Sequence, residues 1–356
     1  MSALPTARAA ASDRAATRAV VPRREGFRPD IQALRAVAIL AVLLNHLWPV
    51  RLTGGYVGVD VFFVISGFLI TGHLVRERAE TGRIGLARFY ARRVRRLLPA
   101  ALLVLLLSAI AAFVLLPYPR WARTGGELIA SAGYVENWLL SAMSVNYSAL
   151  NQQASPAQHY WSLSVEEQFY LVWPLLLIAA WWWAARRAQN PRATASLALG
   201  GLVAVSLTLS IVCTVTMPSQ AYFVTYTRAW EFGVGGLVAL IGARRLRRAT
   251  ANVLVLAGYA AIGIAAVWYG PATPFPGAMA LLPVLGTAAV IVAGTGHDRL
   301  LPTFVTSSRP VQWLGDVSYS LYLWHWPLIV FVPFLLSDDL STQMKVGVLI
   351  TSLVLA

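Results

Sequence analysis

Cysteine is nearly missing from this chain. Cys213 is the single thiol in 356 residues, and it lies in an apolar run, which excludes an internal disulfide framework and a cysteine-rich zinc site. Charge is scarce as well: 12% of residues carry it, and acids are outnumbered by bases, 15 to 29. The first thirty residues have no apolar core, so no cleavable signal peptide is read there. There is no Gly-rich nucleotide loop and no His-Glu-x-x-His or comparable ligand spacing, so no metal is assigned. No internal repeat is evident. What abounds is apolar: 58% of the residues are hydrophobic, in runs long enough to cross a bilayer. The chain therefore reads as an all-α polytopic membrane protein.

Windows of about 19 residues mark spans near 32–50, 56–75, 97–116, 162–184, 196–217, 222–242, 252–269, 276–294 and 314–336. A tenth begins near Met344, and thirteen residues later the sequence stops, short of the roughly 20 needed to cross. The expectation is about ten transmembrane helices with the last one truncated. Residues 1–30, with Arg8, Arg14, Arg18, Arg23, Arg24 and Arg28, form a basic, disordered tail before a membrane domain over 31–356.

A net charge of +14 invites a nucleic-acid reading. The arginines, however, gather in short connections between apolar runs, where retention of basic residues on the cytoplasmic side accounts for them, and nucleic-acid binding is rejected. Arg76 through Arg96, Arg186 with Arg187 and Arg192, Arg244 through Arg248, and Arg299 with Arg309 alternate consistently with a cytoplasmic N-terminus. The connection around Asp338 and Asp339 falls outside. This asymmetry suits a bacterial inner membrane better than an organellar transit peptide. The long connection 117–161 is placed on the outer side, where Trp121, Trp138, Tyr147 and Tyr160 suit either an interface belt or a sugar-stacking surface.

Ionisable groups inside spans are costly and usually functional. Arg35 and His46 share the first span; eleven positions bring both to one face, about 16 Å apart along the axis. A neutral imidazole in low dielectric accepts a proton from an attacking hydroxyl, which makes His46 the candidate general base. Asp60, near the outer end of the second span, is expected to orient it. Ser66 and Gly67 fit tight helix packing or contact with substrate. Arg92, Arg93, Arg95 and Arg96 crowd the mouth of the third span, where guanidinium forks match phosphate oxygens, although charge retention alone also explains them. Glu166 and Glu167 are adjacent and point about 100° apart, so at most one faces a central cavity. Arg228 and Glu231, three residues apart, fit a structural ion pair. His325, amid aromatics, is read as a packing residue.

Five ordered stretches together resemble the acyltransferase-3 family of integral membrane acyltransferases, which includes bacterial O-antigen and peptidoglycan O-acetylases. They are Arg35-x10-His46, Gly58-Val59-Asp60 through Ser66-Gly67, Phe89-Tyr90-x-Arg92-Arg93-x-x-Arg96, Trp161-Ser162-Leu163-Ser164-Val165-Glu166-Glu167-Gln168-Phe169-Tyr170, and Ser318-Tyr319-Ser320-Leu321-Tyr322-Leu323-Trp324-His325-Trp326-Pro327. The resemblance covers most of residues 27–334. It implies ten spans, a cytoplasmic acyl-CoA donor, acetyl-CoA first, and transfer to a hydroxyl of an envelope glycan or glycolipid outside. Arg35 and His46 carry over as the family's essential pair. Its Arg-x-x-Arg pair maps onto Arg93 and Arg96, with Arg92 and Arg95 satisfying the same spacing. Glu166, Glu167, Ser66 and Trp161 are the expected substrate contacts. His46 then either deprotonates the acceptor or carries the acyl group itself. The resemblance also implies an SGNH-type transferase domain after the membrane unit or as a separate partner. The rival class is a transporter or proton-coupled permease, in which the same buried charges form a relay.

Overall fold

Proline sets the start of the first helix. Pro29 occupies the first turn, where its missing N–H costs nothing, and Asp30 follows it, so α1 (Pro29–Leu47) begins inside the stretch assigned to the tail. The computed structural model describes residues 28–145, 154–242, 246–294, 303–336 and 340–356. The remainder of the expected tail, Tyr147, Arg244, Arg299, Asp338 and Asp339 lie outside the described residues.

After a single 3-10 turn comes α2 (Gly58–Thr81), closed by Gly82 in the left-handed region at φ 73°, then α3 (Leu86–Leu115). The connection 117–161 is not a structureless loop: it holds α4 (Trp121–Ala132) and α5 (Glu136–Met143). There follow α6 (Tyr160–Arg186), α7 (Pro191–Thr216), the one-turn α8 (Pro218–Ala221), α9 (Ala229–Ile241), α10 (Arg248–Trp268), α11 (Leu281–Gly294), the one-turn α12 (Thr303–Thr306), α13 (Arg309–Leu336) and α14 (Thr342–Leu355). Among the described residues eight segments are long and apolar enough to cross a membrane. Those built on α3 and α7 leave Leu102, Leu106, Phe113, Leu197, Val205 and Val215 exposed, faces that hydrocarbon accepts and water would not.

The expected sixth span departs most from its reading. Thr227 folds the segment back by donating its hydroxyl to the carbonyls of Ala221 and Val224, at 2.7 and 2.8 Å. The apolar helix α9 therefore starts only at Ala229 and runs 13 residues. The third span departs in the other direction. Its helix starts at Leu86 rather than 97, which puts all four arginines on helix instead of loop.

Glycines decide how α2 meets its neighbours. A methyl group on Gly67 would overlap the carbonyl of Phe232, and one on Gly235 the carbonyl of Val64, so α2 and α9 touch backbone to backbone. Gly58 does the same against Ala38 of α1. Gly67→Ala is expected to lower stability by about 1–3 kcal/mol through overpacking. Gly72→Ala, on the same helix but facing open space, is expected to be neutral or to gain up to about 1 kcal/mol from helix propensity. Thermal unfolding of the two variants in nanodiscs checks this; equal midpoints would mean the α2–α9 contact is loose.

Candidate active site

Arg35 and His46 both turn towards α13, as the eleven-residue spacing implies. Arg35 borders a cavity of about 300 Å³ beside Ser318 and Tyr319. His46 reaches further along the same helix, and its Nδ1 lies 2.9 Å from Nε2 of His325. The indole of Trp326 meets the His46 ring edge-on, with centroids 4.6 Å apart, and His159 brings a third imidazole 5.8 Å from that of His325. Among the described residues no group of three or more His, Cys, Asp or Glu side chains is arranged to hold a metal ion.

The cavity is at the small end for a ligand site. Its mouth carries Arg93 and Arg96 from α3 and His73 from α2, and its wall carries Glu166 and Tyr170 from α6. Three guanidiniums, counting Arg35, face one carboxylate, so the space favours an anion. The guanidinium of Arg93 also stacks on Tyr170, 4.6 Å from the ring centre. Glu166 accepts hydrogen bonds from the Ser66 and Tyr170 hydroxyls. Tyr322 lines the cavity too. Its hydroxyl donates to the His159 carbonyl at 3.0 Å and lies 2.7 Å from the Ser162 hydroxyl, while its ring stands 5.4 Å from that of His325. Tyr322 thus lines the cavity and stands against the histidines at once.

The two arginine frames are not equivalent. Positions 93 and 96 sit one turn apart on the cavity face of α3. Arg92, about 100° round the helix, is spent on His73 at 2.7 Å and Glu77 at 3.4 Å, and Arg95 turns back to the Ala91 carbonyl at 3.2 Å. The adjacent carboxylates divide likewise: Glu166 lines the cavity and Glu167 does not. Of the small pair, Ser66 serves the cavity and Gly67 the α2–α9 contact.

Asp60 corrects the expectation set for it. Its carboxylate takes the Arg228 guanidinium at 2.9 Å, and Arg228 also holds Glu231 at 2.8 Å, all three wholly buried. The reason lies two residues earlier. Gly58 packs on α1, and Asp60, about 200° further round α2, faces α9 instead of His46. Arg228 and Glu231 do pair as their spacing implied, with Asp60 as a third member. Trp161 is corrected too. It is buried, packs on Tyr222 and Phe223, and lies 5.6 Å from the Arg228 guanidinium, so it walls the ion cluster instead of lining the cavity as a substrate contact. Tyr160 is likewise interior, donating its hydroxyl to the Ala101 carbonyl at 2.8 Å.

Behind the histidines stands an acid pair from the long connection. Glu127 accepts from Arg123 at 2.8 Å and from the Ser155 hydroxyl, and the Ser155 carbonyl in turn accepts from the Trp326 indole at 2.9 Å. Burial, reinforced by the neighbouring Glu127 carboxylate, pushes the Glu136 carboxyl up to about 9. That direction favours the uncharged form of Glu136 at neutral pH. Sequence reading missed the company His46 keeps. His325 and His159 both lie in or beside the motif stretches, but nothing in the spacing of residues 46, 159 and 325 announces that they meet.

A protein-family model described as an acyltransferase domain matches residues 28–356. The chain is 33% identical over 315 residues to the peptidoglycan O-acetyltransferase OatA of Listeria monocytogenes, an alignment covering 85% of this chain and 49% of that protein. Against the O-acetyltransferase OatA of Staphylococcus aureus it is 32% identical over 324 residues, covering 86% and 51%. It spans about half the length of these curated relatives. No solved structure matches. With every described residue inside the matched region, the chain belongs to the acyltransferase-3 family of membrane acyltransferases.

Proposed function

We propose that this chain is an integral membrane O-acyltransferase that draws an acyl group, acetyl foremost, from cytoplasmic acyl-CoA and passes it to a hydroxyl of an envelope carbohydrate on the outer side. One observation carries the reading. A basic cavity and an imidazole free at one nitrogen both lie along the α1–α13 contact, and Tyr322, which lines the cavity, stands against the His325 ring that the imidazole touches.

In this reading Arg93 and Arg96 hold the phosphates of CoA, with Arg35 deeper, and the donor's flexible arm runs past Tyr322 towards His46. There Nε2 of His46 takes the proton of the acceptor hydroxyl, and the oxygen bonds to the thioester carbonyl carbon as the carbon–sulfur bond breaks. The proton then leaves His46 for the thiolate, so the imidazole ends as it began. Glu166, held by Ser66 and Tyr170, lies along the arm and offers its carboxylate to the amide N–H groups of pantetheine.

The same reading adds α9 and α14 to the eight longer segments as ninth and tenth membrane helices. It sets the N-terminus in the cytoplasm, since Arg35, Arg93 and Arg96 share the cavity mouth, as positive-inside retention favours. Residues 117–161 then lie outside, in the plasma membrane of a bacterium. An SGNH-type domain, in the same protein or a partner, is the proposed receiver where His46 does not complete the transfer itself.

Binding of radiolabelled acetyl-CoA to the protein in nanodiscs tests the division of labour. Arg93→Ala and Arg96→Ala are expected to weaken it by about 10- to 100-fold each, the worth of a charge-assisted hydrogen bond. Arg92→Ala, whose guanidinium is engaged by Glu77 and His73, is expected to stay within about threefold of wild type. Equal losses in all three, or none, would leave the arginines as topology signals and return the buried charges to the permease reading.

A further inference from the structure

The bond between His46 and His325 has a direction. Nδ1 of His325 lies 3.2 Å from the carbonyl oxygen of Leu321, one turn back along α13. A carbonyl only accepts, so His325 carries its proton on Nδ1 and, as a neutral imidazole, leaves Nε2 bare. That bare nitrogen is the one 2.9 Å from Nδ1 of His46, so His46 must be the donor, with its own proton on Nδ1 and its lone pair on Nε2.

The ring geometry agrees. The two imidazole planes differ by 7°, with centres 5.2 Å apart, about as far as a 2.9 Å nitrogen contact allows between rings of this size. The rings therefore lie edge to edge in nearly one plane, the approach a ring N–H prefers. His325 is wholly buried, and Trp326, fixed through its indole N–H to the Ser155 carbonyl, braces the His46 ring from the side.

We infer that His325 is a positioning residue for acyl transfer, anchoring on the Leu321 carbonyl a two-bond chain that holds His46 with Nε2 as its basic nitrogen. The inference rests on the reading of His46 as the base. It assigns His325 the part that sequence gave to Asp60, with one chemical difference. A neutral acceptor selects the tautomer without burying another negative charge. The arrangement also needs no rearrangement during turnover. When Nε2 gains the acceptor's proton, Nδ1–H still points at His325 Nε2, and the proton on His325 Nδ1 never leaves Leu321. Metal-ligating and catalytic histidines are commonly held by such a bond from the other ring nitrogen, and losing the partner costs about 10- to 100-fold.

Two substitutions separate the bond from the bulk. His325→Gln keeps an acceptor, since the amide oxygen of glutamine reaches about as far from the backbone as Nε2, whereas His325→Leu fills similar space and accepts nothing. Transfer from radiolabelled acetyl-CoA to cell-envelope extract is followed on the full chain in nanodiscs. The same samples, labelled with 15N in histidine, report the His46 tautomer, assigned by difference against His46→Gln. His325→Leu is expected to lower the maximal rate by about 100-fold with half-saturating acetyl-CoA within about twofold, and to shift His46 towards the Nε2–H form. His325→Gln is expected to keep at least about a tenth of the wild-type rate and the Nδ1–H form. A wild-type rate in His325→Leu overturns the proposal. So does a His46 tautomer unchanged in a folded His325→Leu, or a His325→Gln as slow as His325→Leu. If His46→Gln itself transferred at the wild-type rate, the base reading would fall, while the spectra would still report whether His325 sets the tautomer.

Discussion

Replacing His46 with glutamine is expected to lower acyl transfer by about 10²–10⁴-fold, the usual worth of a positioned general base, while acetyl-CoA binding stays within a few-fold of wild type. Glutamine is the sharper choice than alanine. Its amide N–H can still donate towards the buried Nε2 of His325, so the fold is spared an unpaired polar atom, but it has no nitrogen basic enough to take a hydroxyl proton. His46→Ala should be as inactive and also less stable, because the edge contact with Trp326 is lost along with the hydrogen bond. The separation of rate from binding follows from the geometry. The cavity that carries Arg35, Arg93 and Arg96 is not lined by His46. Transfer of label to envelope extract, beside equilibrium binding of acetyl-CoA, reads both quantities. Undiminished transfer in either variant would remove His46 from the chemistry. A burst of CoA release without acceptor, together with label on His46, would mean that the imidazole takes the acyl group before passing it on.

Much of this site could be read in the sequence because it is local. Arg35 and His46 share one uninterrupted helix, so an angle of 100° per residue places them on one face. The same rule divides Glu166 from Glu167, though which of them faces inward depends on α2 and α13 and could not be read from α6 alone. The arginine frame is a similar case. Charge and spacing marked all four side chains, but Arg92 is withdrawn by His73 and Glu77, residues of α2 whose approach is a tertiary fact. The orienting partner of His46 was illegible for the same reason. A short connection from α1 to α2 made Asp60 the obvious neighbour, and the glycine at 58 decided otherwise by turning that face of α2 towards α1. The actual partner lies 279 residues away, in a stretch whose aromatics disguise it as packing. Hydropathy placed most spans well, since among the described residues eight segments are long and apolar enough to cross, and failed where a hydroxyl folds the backbone, at Thr227.

Arg228→Met is expected to destabilise the protein by about 3–5 kcal/mol, the usual cost of removing one partner from a buried ion cluster. The cluster is severe in its demands. Arg228, Asp60 and Glu231 are all wholly buried, and the guanidinium is ringed by Phe63, Trp161, Tyr222 and Phe275 at 5.2–5.9 Å. Loss of the cation leaves two buried carboxyl groups facing each other between α2 and α9, the pair of helices that glycine brings into backbone contact. Neutralising the partners should return most of that loss. Arg228→Met combined with Asp60→Asn and Glu231→Gln leaves no formal charge to strand, and buried ion clusters replaced as a set are often neutral in cost. Thermal unfolding in nanodiscs would rank the single variant well below wild type and the triple variant between the two or level with wild type. Because none of the three residues lines the cavity or bonds to the histidine pair, the triple variant should also retain acetyl-CoA transfer within about tenfold. Full stability with abolished transfer would reverse the assignment and make Asp60 part of the chemistry after all, while an unchanged midpoint in Arg228→Met alone would mean that the three charges do not hold α2 and α9 together.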